Sequence, residues 1–70
     1  MEAIAIAFAV TSKFTGQTVD SGTRVLHLID KRKSPKDHQR ETFAFLRNVW
    51  TPAAYEISVN WVPVEDPEDL

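Results

Sequence analysis

The eight residues Ala-Ile-Ala-Ile-Ala-Phe-Ala-Val at positions 3–10 alternate without a break, and this alternation constrains the fold more than any other feature of the chain. Side chains along an extended strand point to opposite faces in turn, so Ile4, Ile6, Phe8 and Val10 share one face and the alanines share the other. Branched and aromatic side chains on a two-residue period predict a strand with one face in a core. The alanine face lacks the polar groups that a wetted side ordinarily carries. It is therefore either a flat exposed surface of small groups or a contact surface.

Two further strands are predicted. Tyr55, Ile57, Val59 and Trp61 alternate with Glu56, Ser58, Asn60 and Val62, giving one buried and one wet face. Residues 23–29, Thr-Arg-Val-Leu-His-Leu-Ile, are apolar on both faces apart from Arg24 and His27, so this strand is expected to be central or covered. His27 is read as a partly buried structural side chain among aliphatics. Gly16 and Gly22 fall with Ser, Thr and Asp residues between positions 11 and 23, which predicts a long hairpin loop. Phe14 within it is read either as an exposed binding anchor or as a ring folded back on the sheet edge.

Between the second and third strands, Ser34-Pro35-Lys36-Asp37 carries the start signals of a helix. Serine caps the first amides, proline at the first helical position loses no hydrogen bond, and an acid stands at the third position. At about 100° per residue, Gln39, Thr42, Phe43, Phe45, Leu46, Val49 and Trp50 fall on one broad face predicted to pack on the sheet. Pro52 stops the helix, because the residue before a proline avoids helical geometry. The fold class predicted is α+β: a three-stranded antiparallel sheet with one amphipathic helix packed on one face, in the order strand-strand-helix-strand.

Seventy residues suffice for one domain, expected over residues 1–64. A chain this short buries only roughly 60% of the surface that its unfolded form exposes. With no cysteine, neither a disulfide framework nor a thiolate zinc site is available to reinforce so small a core. Of the ten acids, Glu65, Asp66, Glu68 and Asp69 lie in the last six residues, interrupted by Pro67, and are read as an acidic mobile tail. Residues 3–10 are too short to cross a bilayer, which takes about 20 apolar residues. No basic leader or cleavage site precedes them, so a cytoplasmic, non-membrane protein is expected.

The inventory for catalysis is thin: two histidines, one tyrosine, no cysteine and no glycine-rich phosphate loop. The chain is expected not to be an enzyme, and to use no cofactor or metal. Asp37, His38 and Glu41 are the nearest approach to a metal set, yet an acid-rich start suits the helix dipole equally well. The more suggestive group is basic. Lys31, Arg32, Lys33, Lys36, Arg40 and Arg47 fall within seventeen residues that hold only Asp37 and Glu41 as acids. A positive loop leading into a helix N-terminus favours anions, whether nucleic acid or an acidic protein surface. No aromatic interleaves with the basic loop from Lys31 to Lys36 to stack on bases, which makes nucleic acid the weaker of the two.

The segment Trp50-Thr51-Pro52-Ala53-Ala54-Tyr55-Glu56-Ile57-Ser58, closing at Pro63, resembles the small inhibitor of bacterial RNA polymerase made early in infection by podophages. The resemblance covers the end of the helix and the third strand, and extends to length and element order. It implies a tiny non-enzymatic inhibitor that blocks a host macromolecular complex by steric occlusion. Where that family carries arginines in the last strand to grip the polymerase, Val59 and Trp61 stand here. The partner-binding candidates are consequently Glu56, Ser58 and Asn60 on the wet face, with the basic residues from Lys31 to Arg47. The alternatives are an inhibitor of a CRISPR effector complex, a small nucleic-acid-binding module built on the basic loop and helix, and a subunit that pairs with a copy of itself through the alanine face or an open sheet edge. The sequence leaves monomer and dimer equally open.

Overall fold

In the computed structural model, which describes residues 2–64, the elements are β1 (Ala3–Ser12), β2 (Thr18–His27), α1 (Pro35–Val49) and β3 (Tyr55–Val64). The three strands form one antiparallel sheet in the order β2-β1-β3. The α+β class and the element order are those predicted from the sequence. The acidic stretch 65–70 lies outside the described residues.

β1 is the central strand and β2 a largely exposed edge, which corrects the expectation that the second strand would be central or covered. Residues of β1 with even numbers lie on the helix side, each between a β2 and a β3 partner: Ile4 between Leu26 and Pro63, Ile6 between Arg24 and Trp61, Phe8 between Gly22 and Val59, Val10 between Asp20 and Ile57. Ile4, Ile6 and Val10 are buried with Leu46 and Val59, and Phe8, Leu26, Trp50, Tyr55, Ile57 and Trp61 pack around them. This single layer between α1 and the sheet is the core.

β2 begins five residues earlier than the sequence suggests and ends at His27, so the long loop shrinks to a turn over residues 13–17. Ser12 organises that turn: its Oγ accepts from the amides of Phe14 and Thr15 at 3.2 and 3.3 Å, and Gly16 takes a left-handed φ of 74°. A bulge at Val19 absorbs the register shift between Val10 and Thr11. Gly22 is a strand residue, not a loop residue. The Phe8 ring covers it so closely that a Cβ there would come within 2.9 Å of Phe8 Cε1, and the ring thus shields backbone that a side chain would otherwise cover. Leu28 lies beyond the end of β2, still bonded through its amide to Glu2 and packed against the core, whereas Ile29 is exposed.

Helix α1 starts where Ser34 and Asp37 close a capping box. Ser34 Oγ accepts from the Asp37 amide at 3.3 Å, and Asp37 Oδ2 accepts from the Ser34 amide at 2.8 Å. At the other end the rings of Trp50 and Tyr55 meet edge-on, 4.9 Å between centroids, which fixes the tight turn into β3. Lys13 joins the two turns at this end of the sheet, its Nζ donating to the Pro52 carbonyl at 2.7 Å and its amide to the Ala54 carbonyl at 2.9 Å.

The broad apolar helix face predicted from the periodicity packs only in part. Leu46 is the one buried helical residue, whereas Phe45 and Val49 are 66% and 58% exposed. The helix lies toward β3 and leaves β2 largely bare. Deleting the Leu46 side chain should cost about 2–5 kcal/mol, a large part of the roughly 4–10 kcal/mol available to a domain this size. Urea denaturation should therefore show Leu46→Ala severely destabilised and Phe45→Ala within about 1 kcal/mol of the parent. Equal losses would mean that the helix is seated differently.

Candidate functional site

The strand pairings place the candidate residues on opposite sides of the sheet. Away from the helix, Ala5, Ala7 and Ala9 of β1 lie between Val25, Thr23 and Ser21 of β2 and Val62, Asn60 and Ser58 of β3, with Glu56 beside Thr11 and His27 beside Ala3. Among the described residues no helix or strand covers this face, although Ala3 at its end is buried. Glu56, Ser58 and Asn60 are therefore displayed as expected, and the alanine row is the floor between them and β2. Asn60 Nδ2 donates to Ser58 Oγ at 3.2 Å, which orients both side chains. His27 is exposed on this same face rather than partly buried, because it ends an edge strand.

The basic residues belong to the helix side and do not form one patch. Lys31 and Arg32 stand in an exposed turn, where Arg32 Nε meets Asp30 Oδ1 at 3.2 Å. Lys33 Nζ lies 2.8 Å from Glu41 Oε1, and this pairing raises the Lys33 pKa. Arg32 and its amide, both bonded to Asp30, lower the Asp30 pKa. Two of the three loop cations are thus partnered by acids that linear spacing does not bring to mind. Lys36 projects from the first turn. Arg47 stacks over the Phe43 ring, 5.8 Å from its centroid. Arg40 alone approaches the other set, sharing with Phe43, Glu56 and Ser58 the margin of a shallow hollow along the β3 edge.

The Asp37, His38, Glu41 trio does not converge on a point. Asp37 is held by the cap and Glu41 by Lys33, and among the described residues no three metal-ligating side chains cluster. Neither histidine side chain has a hydrogen-bond partner among the described residues. An open hollow of about 830 Å³ lies beneath the residue 28–35 loop, lined by Glu2, His27, Ile29, Lys31 and Lys33. Phe14, 84% exposed, stays clear of the sheet edge. No helix of the described residues is long and apolar enough to cross a membrane.

Sequence reading missed a second open region on the helix side. Because α1 leans toward β3, a trough of about 550 Å³ separates it from β2, walled by Phe8, Leu26, Phe45 and Val49 with Asp20 and Arg24 among its polar lining. Its signal was the width of the apolar helical arc, which exceeds what one strand pair can cover. Also unforeseen is Gln39, whose Nε2 donates to the Val59 carbonyl at 2.6 Å and so occupies a backbone acceptor of β3.

Comparison with known proteins finds no matching family model, no matching curated protein and no matching solved structure.

The cap also carries a pH signature. Hydrogen bonds from the Ser34 amide and hydroxyl hold the Asp37 carboxyl below its ordinary pKa of 3.8. A depressed carboxylate contributes stability above its unfolded pKa and loses it as pH falls through the folded value. Ser34→Ala should cost about 1 kcal/mol near neutrality. Because the backbone amide of residue 34 is the larger cause and survives that change, the melting temperature of the parent should fall more steeply than that of Asp37→Asn as pH drops below about 4. Parallel curves would remove the cap as a determinant.

Proposed function

We propose that this protein is a small, non-enzymatic, phage-type inhibitor that works by covering a surface of a host macromolecular complex, with bacterial RNA polymerase as the target to test first. The observation that carries this reading is the uncovered face of the sheet. It is broad, level and made of short side chains, with Glu56, Ser58 and Asn60 along one side and Val25 and Val62 at one end. A surface without a deep concavity suits contact with another macromolecule better than enclosure of a small molecule. The polymerase as target rests on the resemblance of residues 50–58 and Pro63 to the podophage inhibitor. Val59 and Trp61 lie on the helix side here, so any grip comes from the intervening residues of β3 and from the alanine floor.

The test is direct binding of the labelled protein to purified bacterial RNA polymerase, with transcription measured in parallel. Placing a long cation on the face, by Ala7→Arg or Asn60→Arg, should weaken binding at least about tenfold while circular dichroism stays unchanged, since a buried unpaired charge is costly. Undiminished binding by both variants would move the contact off this face. Absence of any binding to the polymerase would remove it as the target.

A further inference from the structure

The two edges of the sheet are not alike. On β3, Gln39 takes up the Val59 carbonyl, Pro63 lacks an amide hydrogen, and α1 packs alongside. β2 lacks these guards among the described residues: its ten residues hold no proline or lysine, α1 leans away from it across the trough, and its one irregularity, the bulge at Val19, lies at its N-terminal end outside residues 20–27. The Leu28 amide donates to the Glu2 carbonyl at 2.8 Å, which makes Glu2 and Leu28 a hydrogen-bonded pair. Strict alternation from there turns the even residues of β2 toward β1 and leaves the amides and carbonyls of Ser21, Thr23 and Val25 at the free edge. Single strands with such an edge recruit another strand unless something prevents it.

Asp20 and Arg24 indicate which strand. Both are exposed, both lie on the helix side, and neither has an ion-pair partner among the described residues. Four residues along a strand separate them by about 13 Å, too far to meet each other. They stand symmetrically about Gly22. From this symmetry we infer that β2 pairs antiparallel with β2 of a second copy, with the two-fold axis at Gly22. Asp20 of each copy then faces Arg24 of the other, in the close, non-hydrogen-bonded type of pair. Ser21 and Thr23 exchange backbone hydrogen bonds across the axis, using the groups left at the free edge. Gly22 meets Gly22, where the absence of side chains allows close approach. The result is a continuous six-stranded sheet with isologous contacts. Each trough beside α1 gains the neighbouring copy's β2 as an extension of its floor, beneath Phe45 and Val49. This inference is independent of the proposed target, because the uncovered face remains free in the pair.

Sedimentation analysis of the full chain over a dilution series at low salt tests it. The parent should approach twice its 7.9 kDa chain mass at high concentration. Asp20→Arg or Arg24→Asp alone sets two like-charged pairs across the axis and should raise the dissociation constant at least about tenfold. Combining the two exchanges reverses every pair and should restore the dimer. Thr23→Pro removes an outward amide without taking a bond from the ladder to β1, and should give a folded monomer by circular dichroism. A parent of 7.9 kDa at every concentration would overturn the inference. So would folded single variants that dimerise as the parent does, or a double exchange that folds but stays monomeric.

Discussion

The buried cluster in which Leu46 of α1 joins Ile4, Ile6 and Val10 of β1 and Val59 of β3 is the constraint on which the rest of the molecule depends. Leu46 is the one buried side chain that the helix contributes, and β1 is the one strand bonded on both sides. The Cα atoms span 39 × 25 × 13 Å, so the interior is one side chain thick and has no second layer to compensate for a loss. The capping box and the Trp50–Tyr55 ring pair serve the same end: they fix where the helix starts and how it turns back, and so place Leu46 in that cluster.

Because β1 is dry on one face and merely small on the other, the molecule has two sides of different character. The helix side carries the paired cations, the capping box and the trough. The opposite side carries short, mostly uncharged groups. The residues that looked in linear order like one composite binding surface are therefore divided by the sheet, and only Arg40 reaches toward both. Glu56, Ser58 and Asn60 thus face away from the side that carries Lys31 and Lys36.

What could be read from the residues followed from local chemistry. Ser34, Pro35 and Asp37 mark the helix start because capping uses groups only three residues apart, and the alternations in β1 and β3 are periodic over many residues. The extent and place of β2 failed for a physical reason: Thr, Asp, Ser and Gly favour turns in isolation, and here the Phe8 ring and pairing to β1 override that preference. The central position of β1 was in fact implicit. A helix carries the chain back between β2 and β3, so these run parallel, and an all-antiparallel sheet must then place β1 between them. Expecting β2 to be central or covered also led to His27 being read as partly buried. The Lys33–Glu41 pair, the Gln39 bond and the trough depend on the tilt of α1, which no short-range pattern encodes.

Gln39 reaches across from the helix to occupy a carbonyl on the outer margin of β3, and Pro63 interrupts the same margin. A sheet closed along one border and open along the other can be completed once and not again. If a strand were to join β2 as inferred above, the resulting assembly would present at its limits the β3 borders that Gln39 and Pro63 interrupt, which would favour a closed pair over an open fibre.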